Sequence, residues 1–173
     1  MIECIKSRKS VRKYTDQNIT DEDLHTILEA AMSGPSACNA RPWSFIVVRN
    51  KEMLEKMADA NSKYSNLLKS ANVGILICGD LERAVKLAPD FWVIDGSIAI
   101  QNMILAAHSL NIGSCWIGTW PMETSMNNLK ELFDLPETIL PHSLLALGYS
   151  DDEVSKNKIK KLYEEDRVHF EKW

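Results

Sequence analysis

From residue 91 to residue 110 the chain places apolar side chains on nearly every side of a helix, with Ile94, Ile98, Ile100, Met103, Ile104, Leu105, Ala106 and Ala107 in succession. A helix without a polar face has to be enclosed, either at the centre of a core or in an interface between subunits. Periodicity leaves both placements open, and either one demands further layers around it. The remaining sequence supplies strands for such layers. Trp43–Val48 is dense in β-branched and aromatic residues, and 73–78 is a continuous apolar run ended by Gly79-Asp80, as expected of a strand covered on both faces. Gly113–Gly118 and 143–149 read as two more strands.

Helices are expected between them. Residues 2–8 put Ile2 and Ile5 on one side and deliver Arg8 at the carboxyl end. Thr20 is an N-cap with Asp23 three residues on, and Ile19 with Leu24 form a hydrophobic staple. The helix they start runs to Met32 with Leu24, Ile27, Leu28 and Ala31 buried, and Ser33-Gly34-Pro35 stops it. Further helices are expected over 51–60, with Met53, Leu54 and Met57 inward, and over 63–70 and 127–133. After Ser150 the composition changes to charged residues until Val168, so 150–173 reads as an extended arm that needs something to wrap, given Val168, Phe170 and Trp173.

At 173 residues the chain reads as a single domain, 1–173, large enough to bury roughly 70% of its unfolded surface. Twenty basic against 24 acidic residues give a net charge of −4 and no general attraction to nucleic acid. Cys4, Cys38, Cys78 and Cys115 lie far apart without histidine interleaving, so they read as reduced thiols rather than zinc ligands. No apolar stretch reaches the ~20 residues of a membrane span and no signal peptide is evident, which together lead to the expectation of a cytoplasmic protein without membrane partners.

Against that acidic background stands a local basic cluster, Arg8-Lys9-Ser10-Val11-Arg12-Lys13. In an extended stretch Arg8, Ser10 and Arg12 point one way and Lys9, Val11 and Lys13 the other. Guanidinium forks and a hydroxyl on one side suit a phosphate monoester, whose oxygens take charge-assisted hydrogen bonds. Read with the Pro35–Trp43 segment, the cluster suggests a mononucleotide site.

These segments, together with Tyr14, Ala30 to Ser36, Asn39 to Phe45, Asp95 with Gln101-Asn102-Met103, Gly113–Gly118, Gly148-Tyr149 and Val168-His169, resemble the nitroreductase family of flavoproteins in order and spacing. The resemblance implies an α+β fold, an α/β/α sandwich with a mostly antiparallel central sheet. It also implies a homodimer that exchanges its C-terminal arms and binds FMN at the interface. By the same resemblance Arg8, Lys9, Ser10 and Arg12 bind FMN from one subunit, and Ser36 and Asn39 lie beside the ring of the other subunit's flavin, walled by Pro35 and Ala37. Ile117 and Gly118 offer backbone amides to flavin N5 and O4, and Trp116 is a candidate flavin stack. A donor at that edge favours the electron-rich ring.

Two positions depart from the pattern. Arg41 stands where glutamine is usual, implying a permanent cation near the flavin's pyrimidine side or at the pocket mouth. Lys161, next to Lys160, stands where the arm usually carries arginine, and a lysine keeps the charge but loses the bidentate fork. The implied activity is that of an FMN-dependent oxidoreductase working in two half-reactions: NADH or NADPH delivers hydride to flavin N5, and a nitroaromatic or quinone then takes it away, with no catalytic side chain. A redox sensor or carrier and a specialised relative acting by dehalogenation or flavin breakdown are the alternatives. Phe91, Trp92, Trp120 and Met122 are candidates for pocket wall or interface.

Overall fold

A computed structural model describes residues 2–151 and 163–173. Strand alternation sets its layers. In the strand Val73–Asp80 (β2) the side chains of Val73, Ile75 and Ile77 turn to one face and those of Leu76 and Cys78 to the other, and all five are buried. The last strand, Ile139–Gly148 (β4), repeats the pattern, with Leu145 and Leu147 on the first face and Leu144 and Ala146 on the second. Edge strands Trp43–Val48 (β1) and Gly113–Gly118 (β3) complete a four-stranded sheet of order β1-β2-β4-β3, antiparallel throughout. The expected α+β sandwich with an antiparallel sheet is therefore what forms.

The first face is covered by helices Asp21–Met32 (α2) and Phe91–Ser109 (α4). Thr20 caps α2 as its sequence predicts, accepting from the Asp23 amide, and Ile27 and Ala31 reach zero exposure. The apolar helix α4 is the centre of this layer: Ala99, Ile100, Met103 and Ala107 are fully buried against the sheet and α2. Its far side, Ile94 included, is open in the single chain, as is the short helix Ile2–Ser7 (α1), none of whose residues is buried. The second face is covered by Lys51–Asn61 (α3), a 3-10 helix over Lys63–Ser70, and Glu123–Leu132 (α5).

Two boundaries differ by several residues from the sequence reading, each for a tertiary reason. The helix expected at 127–133 starts at Glu123, because buried Ser125 in its first turn hydrogen-bonds the end of α3, a contact that helix propensity does not encode. The last strand begins at Ile139 rather than Ser143, since the ladder with β2 continues past Pro141 through a register shift between Ile77 and Cys78. The short helix expected over 63–70 forms with those bounds, wound as 3-10. Residues 163–173 lie exposed, with Phe170 and Trp173 almost wholly so.

Candidate functional site

The site is built on the outer edge of β3. Ser10 bridges to Ser114 in parallel, and the Val11 amide donates to the Ser114 carbonyl at 2.9 Å. Val11 is buried against Gly113, and Tyr14 ties back to the Val11 carbonyl through its hydroxyl at 2.6 Å. With Val11 turned inward, Ser10 and Arg12 turn outward as the alternation predicts. Lys9 is half-buried and lines neither of the grooves described below, and Lys13 faces a small depression with Tyr14, Ser150 and Asp151.

Two grooves flank Trp116. One, of about 440 Å³, is lined by Arg8, Ser10, Gln101, Ile104 and Ser114; the other, of about 490 Å³, by Arg12, Tyr64, Cys115, Ile117, Gly118 and Met122. Burial pushes the Cys115 thiol up, while Arg12, a hydrogen bond from Ser10, and Arg8 pull it down, so both guanidinium groups and the hydroxyl act on one spot. Since Ser114 faces the outer edge, Trp116 and Gly118 face it as well, and the Gly118 carbonyl accepts from Asn61 there. Ile117 is 5% exposed, and a Cβ added at Gly118 would meet nothing within 4 Å. Arg8 and a hydroxyl at one end, and Arg12 beside open backbone at the other, are what a phosphate-bearing ring compound needs, so these residues fit FMN.

The second half of the expected site lies elsewhere on the chain. Between α2 and β1, the segment from Pro35 to Arg41 holds Cys38, Asn39 and Arg41 at positive φ. Its anchor is Asp95 of α4, 3% exposed, whose carboxylate accepts from the Ala37 amide at 3.0 Å; Ser36 Oγ accepts from the Arg41 amide at 2.9 Å. The Arg41 guanidinium donates to the Met32 carbonyl at the end of α2, sits 5.9 Å from the Trp43 ring, and lines a cavity along β1 with Phe45 and Arg83. Within one chain, then, Arg41 is not beside Arg8 and Arg12. Lys160 and Lys161 lie outside the described residues.

Of the candidates for pocket wall or interface, Met122 lines the Gly118 groove, whereas Trp92 is 4% exposed and belongs to the core. Trp120 packs edge-on to Trp92, and Phe91 is partly exposed at the start of α4. Beneath Trp116 lies buried His142, its ring 6.0 Å away. The Val93 carbonyl can only accept, so His142 Nε2 carries the hydrogen at 3.0 Å and Nδ1 accepts from Ser143 Oγ at 2.8 Å. Burial lowers the basicity of His142, and burial together with Arg8 lowers that of His108, which is hydrogen-bonded to Ser7 at 2.8 Å. Folding that keeps a histidine neutral is opposed once the unfolded chain binds the proton, so stability is expected to fall as pH drops below about 6.5. Urea midpoints at about pH 7.5 and about pH 5.5 check this, and His142→Asn should flatten the difference.

Sequence reasoning singled out Asp95, the one acid inside an apolar helix, but not its loop contact, and it missed Asn61, which carries no sequence signal.

The geometry agrees with what the chain is similar to. The Nitroreductase family model matches residues 5–72 and 61–149, and the chain belongs to that family. A relative from Methanothermobacter thermautotrophicus, provisionally named NADH dehydrogenase/NAD(P)H nitroreductase, is 44% identical over 100% of this chain and 87% of its own. An FMN reductase [NAD(P)H] of Bacillus subtilis is 28% identical, covering 90% of this chain and 68% of that protein. Among solved structures, an FMN-dependent nitroreductase from Clostridium difficile superposes with a TM-score of 0.86 at 34% identity over 100% of both chains.

Proposed function

We propose that this protein is an FMN-dependent oxidoreductase that takes reducing equivalents from NADH or NADPH and passes them to an oxidised acceptor such as a nitroaromatic or quinone. The observation that carries this reading is the Arg8–Ser10–Arg12 row docked on the edge of β3 beside an open Gly118. FMN, when bound, supplies the hydride chemistry. Arg8 and Ser10 hold its phosphate, Arg12 faces the polar edge of its ring, and the Gly118 amide donates at the N5/O4 edge. The grooves are open, so donor and acceptor take turns at one place, and no side chain need move a proton.

The protein works as a homodimer. The uncovered side of α4, the exposed α1 and the exposed Phe170 and Trp173 are apolar surface left over in a single chain. A partner covering them brings Ser36 and Asn39 of one subunit toward the flavin of the other. No helix among the described residues is long and apolar enough to cross a membrane; we place the protein in the cytoplasm.

An anaerobic titration of the FMN-loaded protein with NADH, and separately with NADPH, tests the activity. Bleaching of the flavin absorbance and its return on adding a nitroaromatic or quinone is the expected result and identifies the donor. Tight FMN binding without bleaching by either nucleotide sinks the reductase reading in favour of a flavin-binding sensor.

A further inference from the structure

Asn61, the last residue of α3, is 6% exposed and lines neither groove, yet its amide joins three parts of the fold. Nδ2 donates to Ser65 Oγ at 2.7 Å and to the Gly118 carbonyl at 3.1 Å, and Oδ1 accepts from the Thr119 hydroxyl at 2.9 Å. The reverse orientation would set Oδ1 against the Gly118 carbonyl, so the partners themselves decide which atom is nitrogen. The Asn61 backbone carbonyl accepts from Ser125 Oγ at 2.5 Å, and Ser65, Thr119 and Ser125 are all buried. A buried network satisfied at both ends of its central amide specifies one geometry.

The residue it fixes is Gly118. Glycine has the widest choice of backbone angles, and this one ends an edge strand facing open space. Asn61 grips its carbonyl, and the Thr119 bond grips the next residue. On its other side Gly118 pairs with Ser143 of β4, and the Asn61 and Thr119 bonds add the hold beyond that ladder.

We propose that Asn61 is a positioning residue for the redox edge of the flavin: by clamping Gly118 and Thr119 it keeps the Gly118 amide aimed where N5 and O4 lie, so that reduced FMN is held more tightly than oxidised FMN. The inference rests on the FMN reading above. An oxygen in place of Nδ2 repels the Gly118 carbonyl while the side chain keeps its shape, so Asn61→Asp breaks the clamp. Thr119→Val removes the hydroxyl alone and keeps the Nδ2 contacts.

Both variants and the parent protein are to be compared by the Gly118 amide order parameter of the apoprotein, the affinity for oxidised FMN, and the midpoint potential of the bound flavin. In Asn61→Asp the order parameter should fall and reduced FMN should lose about 10-fold more affinity than oxidised FMN, a shift of about 30 mV to more negative potential. Thr119→Val should move both readouts the same way by less. Variants that melt earlier but keep the parental potential and Gly118 order overturn the proposal, leaving Asn61 a structural residue only. Should Asn61→Asp fail to fold, Thr119→Val decides by the same readouts. A parent protein that binds no FMN refutes the FMN reading instead, and the apoprotein order parameters still judge the clamp.

Discussion

Arg8→Ala is expected to weaken FMN binding by about 1.5–3 kcal/mol, or about 10- to 150-fold in Kd, while leaving riboflavin binding nearly unchanged. Arg8 and Ser10 share the groove on one side of Trp116, and Arg12 and Gly118 share the other. If the first holds the phosphate, its arginine acts on a group that riboflavin lacks. Arg12→Ala should therefore behave differently, weakening FMN and riboflavin alike because its groove takes the ring. Arg8→Lys should recover part of the loss, since a point charge remains without the two-pronged fork. Flavin fluorescence titrations of the three variants with both ligands make the comparison. Equal losses for FMN and riboflavin in Arg8→Ala would remove the phosphate from this groove.

The division of labour between those arginines was half legible in the sequence. Alternation put Arg8, Ser10 and Arg12 on one side, and Ser10 and Arg12 do turn outward because Val11 is drawn inward against Gly113, while Arg8 still belongs to the last turn after α1. Alternation could not say that Trp116 separates the first two from the third, since that depends on where β3 is docked. The layers were legible for a similar reason: a run such as 73–78, apolar at every position, has no other stable place than between two helical layers. Residue type left the local partner of Arg41 open. A cation beside Pro35–Asn39 reads as part of the same site, and within one chain its guanidinium donates to the Met32 carbonyl at the end of α2, a helix carboxyl terminus being a good partner for it. Asn61 was illegible because its work is done entirely through contacts with residues 65, 118, 119 and 125, none set by local pattern.

The largest effect on stability is expected at Trp92. The ring lies against the backbone of β2 at Gly79, so close that an added Cβ there would come within 2.2 Å of Trp92 Cε3. Its other contacts are edge-on, to Trp120 with centroids 6.4 Å apart and to His142 at 6.0 Å. Trp92→Ala removes that buried ring from a place its rigid neighbours cannot refill, at a cost of about 3–5 kcal/mol. For a chain of this length that corresponds to a fall of very roughly 6–20 °C in Tm. Gly79→Ala should cost about 1–3 kcal/mol by forcing the ring outward. The two losses should not add, because once the indole is gone the new methyl occupies space left empty, and the double variant should be more stable than the sum of the single losses predicts. Denaturant melts of the four proteins measure this cycle. A loss below about 1 kcal/mol for Trp92→Ala, or strict additivity, would mean that the ring does not rest on Gly79. Since Trp92 lines neither groove, whatever fraction of Trp92→Ala remains folded should bind FMN with the parental affinity, which separates packing from cofactor contact.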